Sequence, residues 1–133
     1  FSKEVVLKAF YIYIFLGLFI APVFHQGGSI GYLLTPNFGY LLGLYPLIKI
    51  IDNLNKRNKI NFGNFFINGF LAICALHLTG IFYNFLQIIL FSQYKIFLYN
   101  LGKYSVGKIG YHFIMLLPLL FLIKPIKNLK KIK

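Results

Sequence analysis

The chain has 133 residues, 59% hydrophobic and 20% aromatic, with 14 Lys and Arg against two acidic side chains and a formal net charge of +12. At a mean hydropathy of +0.74, a soluble domain of this size could not hide its apolar surface, so the sequence reads as an integral membrane protein. Its basic residues gather at helix ends and in loops, the membrane-topology pattern, and without a nucleic-acid-binding motif no nucleic acid partner is expected.

The first predicted span runs from Val5 to Phe24, with Lys3 and Lys8 at its start and Pro22 at its end. It is almost uniformly apolar and long enough as a helix to cross ~30 Å of hydrocarbon. It lacks a small-residue cleavage site, so it is not read as a signal peptide. His25 to Ser29 form a short connection. The second span runs from Ile30 to Ile51, broken near Thr35 and Pro36, with Pro46 a second candidate break. Residues 52–61 are polar and basic and read as a loop. The third span runs from Phe62 to Tyr83 and carries Ala72, Ala75 and Gly80 for close helix contact. Residues 84–108 mix aromatics with Gln93, Lys95, Asn100, Lys103 and Lys108, and read as the end of that span followed by an interfacial amphipathic stretch. The fourth span runs from Ile109 to Ile123. The tail, residues 124–133, holds Lys124, Lys127, Lys130, Lys131 and Lys133.

The expected fold is therefore all-α, a single membrane domain over residues 1–133 with about four transmembrane helices and a broken second helix. The basic 52–61 loop and the basic tail should both be cytoplasmic. The N-terminus is then cytoplasmic as well, and the His25–Ser29 connection faces outside. The expected location is the plasma or inner membrane.

Pro22 to Gly43 is dense in Gly, Pro and small polar residues between two apolar runs. In lipid, backbone that leaves the helix must be buried in protein or line a wet cavity, and discontinuous helices recur at transporter substrate sites. An interhelical loop with glycines for close packing fits the same composition. The order of the residues is more specific. Pro22-Val23-Phe24, Gly27-Gly28, Gly31-Tyr32-Leu33-Leu34, Pro36 and Gly39-Tyr40-Leu41-Leu42-Gly43 resemble the biotin transporter family (BioY), the substrate-binding component of energy-coupling-factor vitamin importers. That family carries P-V-F, a glycine pair, then G-Y-L-x-G-P-T-G-G-Y-L-x-G. Thr35, Asn37 and Phe38 depart from the pattern.

The resemblance implies six spans with both ends inside and a glycine-rich connection outside between spans three and four. The spans here then correspond to spans three to six, and the first two are absent. It also implies biotin as ligand, a transmembrane coupling subunit and ATPase subunits as partners, and the bilayer as surroundings. The family's P-G-D-x-x-K at the last helix is not present. Lys124 is the candidate cation nearest that place, with snorkelling to the interface as its alternative role.

Catalysis is not expected. Glu4 and Asp52 sit far apart at helix ends and cannot act as a carboxylate pair. His25, His77 and His112 have no metal-ligand spacing. Ser29, Ser92 and Ser105 have no adjacent base and acid. Cys74, the single cysteine, lies in an apolar run. No cofactor or metal is expected. Binding needs aromatic walls and a few convergent polar groups. Phe24, Tyr32, Phe38 and Tyr40 supply walls, while Gln26, Thr35 and Asn37 supply partners for a ureido group. The expected substrate-binding residues are Gln26, Gly27, Gly28, Tyr32, Asn37, Gly39 and Tyr40, around a cavity shared by the 24–40 segment and the fourth span. For the tyrosines the alternative role is interface anchoring, and for Asn37 a backbone cap. The leading function is membrane uptake of biotin as a substrate-binding component. The alternatives are a small structural subunit of a membrane complex and a haem carrier using His77 and His112.

Overall fold

The computed structural model describes residues 2–25, 27–57, 62–91, 94–118 and 121. These residues are helical apart from short connections, and the expected all-α class holds.

Helix α1 spans Lys3–Phe19. Ser2 caps it, its hydroxyl accepting from the Val5 N–H at 3.4 Å, and Glu4 lies in the positive first turn. The helix stops at Ile20, short of the expected Phe24. Ala21 precedes Pro22, and a residue before proline is pushed out of the helical region. The chain then turns, with a β-bridge between Phe24 and Gly27 and a φ of 115° at Gly27, a conformation glycine adopts without strain.

The second span breaks at Thr35–Pro36, as its sequence predicts. A 3-10 helix spans Ile30–Leu34 and α2 spans Pro36–Leu42. The second break lies at Gly43 rather than Pro46, because α3 spans Leu44–Arg57 and so places Pro46 in its first turn, where a missing N–H costs little. At Gly43 the backbone meets the next helix directly: a Cβ there would lie 2.6 Å from the Leu76 carbonyl oxygen.

Residues 52–57, expected to be loop, are the end of α3; residues 58–61 lie outside the described residues. Asp52 explains the extension. Its carboxylate accepts from Lys56 one turn on at 2.8 Å, and this hydrogen bond holds the Lys56 ammonium above the usual lysine range. The same carboxylate lies 3.8 Å from Lys3, tying the start of α1 to the end of α3.

Helix α4 spans Phe62–Phe91, a turn or more beyond the expected Tyr83. Its stretch Gly63–Leu90, 28 residues holding an 18-residue window of mean hydropathy 1.9, is the one helix among the described residues both long and apolar enough to cross a membrane. It is the central post, packed on α2, α3 and everything that follows.

The stretch expected to be interfacial and amphipathic is helical and packs against α4. Helix α5 spans Tyr94–Asn100, a π-helical turn spans Leu101–Val106, and α6 spans Gly107–Ile114. Asn100 and Ser105 are buried, while Lys95, Lys103 and Lys108 are exposed. Lys103 lies over the Tyr99 and Tyr104 rings, and Lys108 over Tyr104. Polarity that resembled an interface is thus split, amides and hydroxyl inward, ammonium groups outward. The basic tail lies outside the described residues.

Gly43→Ala should lower the thermal midpoint of the detergent-solubilised protein, because overpacking against an immovable backbone costs about 1–3 kcal/mol. Gly102→Ala, at a position with open space around it, should leave the midpoint unchanged or raise it.

Candidate functional site

The site grows from the irregular segment between α1 and α3. Its first anchor is α1. The Ser29 N–H donates to the Gly17 carbonyl at 2.9 Å, and a Cβ on Gly28 would stand 2.6 Å from that same oxygen. Ser29 itself adopts φ 97°, ψ 166°, a region open almost only to glycine and costing about 1–3 kcal/mol elsewhere. The segment's apolar side is an aromatic ladder. Phe24 and Tyr32 have ring centroids 4.5 Å apart, Tyr32 and Phe38 6.3 Å, and Phe38 and Tyr83 5.9 Å. Ile14, Leu18 and Leu42 pack around it.

The second anchor is α4, and it acts through the backbone. Breaking the helix at Pro36 leaves the carbonyls of Tyr32, Leu33 and Leu34 without their α-helical donors. Each is satisfied another way. Thr35 donates to the Tyr32 carbonyl through its N–H at 3.0 Å and its hydroxyl at 2.8 Å. The Tyr83 hydroxyl donates to the Leu33 carbonyl. The Gln87 amide donates to the Leu34 carbonyl at 2.9 Å.

A third element faces the segment from the far side. His77, Gly80, Asn84 and Gln87 fall on one face of α4, recurring at three- and four-residue steps. Opposite them stand Asn100, Ser105 and His112. The π-helical turn sets this register: Ser105 follows Asn100 by five residues, the spacing that π geometry brings onto one face. Asn84 donates to the Gly80 carbonyl at 2.8 Å and accepts from Asn100 at 3.4 Å. The Tyr40 hydroxyl lies 2.7 Å from the Ser105 hydroxyl. His77 reaches Ser105 through Nδ1 at 3.4 Å and His112 through Nε2 at 3.1 Å.

Between segment and seam lies a cavity of about 260 Å³, lined by Leu34, Pro36, Asn84, Gln87, Ile88, Ile96, Phe97 and Asn100. Apolar walls with three amides suit a neutral, hydrogen-bonding ligand group.

The residues expected from sequence divide around this cavity. Gln26 lies outside the described residues. Gly27 forms the turn, and Gly28 packs on α1 and borders a smaller recess with Leu18, Pro22 and Ser29. Tyr32 is buried in the ladder, and Asn37 lies in the first turn of α2. Gly39 is buried beneath the Tyr83 side chain. Tyr40 packs over Gly80 and turns to Ser105. None of the six described ones lines the larger cavity; their neighbours Leu34 and Pro36 do. Sequence reading missed Asn84, Gln87 and Asn100. The α4 pair had a signal, two amides at helical spacing from His77 inside an apolar run. Asn100 had none, because its facing depends on the π turn. His77 and His112 do lie on neighbouring helices, but they bond to each other, and no group of three metal-ligating side chains occurs among the described residues.

A family model described as the BioY family matches residues 3–121. The chain is 42% identical over 69 residues to the protein named "Probable biotin transporter BioY" of Lysinibacillus sphaericus, an alignment covering 49% of this chain and 35% of that one. The match thus spans about a third of the length of that curated relative. No solved structure matches the chain.

Tyr83→Phe keeps the ring in the ladder and removes the donor to the Leu33 carbonyl. A buried acceptor left unpaired costs about 1–3 kcal/mol, so the midpoint should fall and amide exchange in residues 30–38 should accelerate, measured by hydrogen–deuterium exchange.

Proposed function

The chain belongs to the BioY family and is an all-α membrane protein, and from that premise we propose that it binds biotin as the substrate-binding component of a membrane uptake system. The observation that carries the reading is the family match over residues 3–121, together with the named activity of the Lysinibacillus sphaericus relative. The site geometry supports it. An irregular backbone segment, pinned to α1 and α4, forms one wall of a cavity whose other wall carries Asn84, Gln87 and Asn100.

In this reading the ureido group meets amides and the apolar ring and chain of biotin lie along Leu34, Ile88 and Phe97. Gln26, Gly27, Gly28, Tyr32, Asn37, Gly39 and Tyr40 belong to the segment that presents Leu34 and Pro36 to the cavity. The glycines allow the tight approach of the segment to its neighbours. Tyr32 and Asn37 hold its shape, and Tyr40 carries a polar contact to Ser105 of the π turn. The protein acts as a binder and carrier, not an enzyme. Its partners are the bilayer, a transmembrane coupling subunit and ATPase subunits of an energy-coupling module. It is a single membrane domain, multi-pass, with both termini and residues 52–61 cytoplasmic. The Lys3–Asp52 pair supports one side for the start of α1 and the end of α3.

Equilibrium binding of labelled biotin to the solubilised protein tests the reading, with other vitamins as competitors. Asn37→Ala and Asn84→Ala should each weaken binding by about 1–3 kcal/mol, roughly five- to a hundred-fold. No binding of any vitamin would leave a packing subunit of a membrane complex as the better reading. Topology is checked with a cysteine at Asn58 in a Cys74→Ala background. It should resist impermeant label applied to intact cells, and labelling would reverse the orientation.

A further inference from the structure

The bonds between α4 and the α5–α6 run fix the depth of two lysines in the bilayer. The apolar stretch of α4, Gly63–Leu90, has its midpoint at Leu76 and His77. Ser105 and His112 both bond to His77, so Lys108, between them in sequence, stands at that height. Asn100 bonds to Asn84. Lys103, between Asn100 and Ser105, therefore lies between the heights of Asn84 and His77, within about 10 Å of the midpoint at the helical rise per residue.

Both lysines are exposed on the outer face of the run. The edge of the hydrocarbon is ~15 Å from the middle of the bilayer, beyond the reach of a side chain that snorkels from this height. The nearest help on the chain is aromatic. Lys103 Nζ lies 5.3 Å and Lys108 Nζ 5.6 Å from the centroid of the Tyr104 ring, and Lys103 lies 5.5 Å from that of Tyr99. Ring faces offset part of the lost hydration. They also gather two like charges around one ring, and they neutralise neither.

No carboxylate side chain of this chain can reach them. Glu4 and Asp52 are its only acidic side chains. Glu4 lies in the first turn of α1, and Asp52 is held by Lys3 and Lys56 at the far end of α3. A cation at membrane depth almost always pairs or faces a wet cavity. Neither cavity described above is lined by Lys103 or Lys108. A lipid phosphate stays at headgroup depth. A second copy of this chain would bring two more lysines to this height and no acid. The surface around the pair is open helix face. Tyr99, Val106 and Tyr111 are each more than half exposed, and a Cβ at Gly102 or Gly110 would meet nothing within 4 Å. Bare backbone of this kind lets another helix approach closely.

We propose that the outer face of the α5–α6 run docks a membrane-spanning helix of another polypeptide, one that carries an aspartate or glutamate near the middle of its apolar stretch. Its carboxylate seats between Lys103 and Lys108 and accepts hydrogen bonds from both. The acid sets the specificity. A wholly apolar helix covers the same face and leaves both ammonium groups unpaired, and an acid near the end of a helix misses them in height. The proposal rests on the chain's place in the membrane and is independent of its ligand.

The test reconstitutes the chain in phosphatidylcholine vesicles with leucine–alanine transmembrane peptides that differ in one residue. Association is read by resonance energy transfer from a donor on the chain's N-terminus. A peptide with Asp at its centre should associate roughly tenfold or more tightly than its Leu and Asn counterparts, and than one with Asp near its end. Lys103→Met combined with Lys108→Met should remove that preference, and Lys103→Arg combined with Lys108→Arg should keep it. The thermal midpoint of the Met variant should not fall, because both side chains lie outside the packed seam. Equal association of all the peptides, or an Asp preference that survives in the Met variant, would overturn the proposal. A spin label at Val106→Cys in a Cys74→Ala background checks the depth. Dissolved oxygen should relax it more than a water-soluble nickel chelate does, and the reverse order would place the face at the interface and overturn the proposal.

Discussion

Three successive backbone carbonyls, on Tyr32, Leu33 and Leu34, must find donors where the helix has been broken. In hydrocarbon an unpaired carbonyl costs several kcal/mol, and water cannot make good the loss. Thr35 solves the first locally. The other two require side chains from α4, Tyr83 and Gln87, 50 and 53 residues away in sequence. Those two bonds fix the height and rotation of the segment against α4. Its aromatic ladder then falls against Tyr83, Gly39 fits under that side chain, and Tyr40 crosses Gly80 toward the π turn. The cavity is the space left beside this joint.

How much of this was legible in the sequence depends on how local each feature is. The break at Thr35–Pro36 follows from proline chemistry alone, and the structure has it there. The early end of α1 was equally readable, since Ala21 precedes Pro22, but a long apolar run drew the boundary outward. Asp52 to Lys56 looked like a loop because its residues are polar, although an i,i+4 acid–base pair favours helix. The donors for Leu33 and Leu34 were not readable, because nothing near residue 33 indicates a tyrosine and a glutamine fifty residues on. The candidate site was legible as a segment and illegible as a cavity. Its far wall depends on α5 and on the π turn, whose five-residue register no periodicity in the sequence announces.

The π turn has a cost that its surroundings offset. It replaces regular helical hydrogen bonding in the middle of an otherwise continuous run from Tyr94 to Ile114, and such turns concentrate at functional sites. Regular geometry over residues 100–112 would rotate Ser105 away from Asn100. Tyr40 would then lose its partner, and His77 Nδ1 would be left against apolar neighbours. The turn therefore exchanges local helix regularity for a satisfied polar row.

That row is better understood as a device of position than as a source of stability. A buried polar network contributes little net free energy over a well-packed apolar one, but a half-satisfied network is costly. The consequence is cooperative. The α5–α6 run supplies partners to both other elements, Ser105 to Tyr40 of α2 and to His77 of α4, His112 to His77 and Asn100 to Asn84, so the whole set forms only when all three are in register. Helices that slid by one turn in lipid would keep comparable apolar contacts, because hydrocarbon and side chains are similar solvents for a leucine. They would not keep this set of bonds. The seam thus specifies one arrangement of the helices where apolar packing alone would leave several close in energy, and it does so beside the cavity, where the arrangement matters for a ligand.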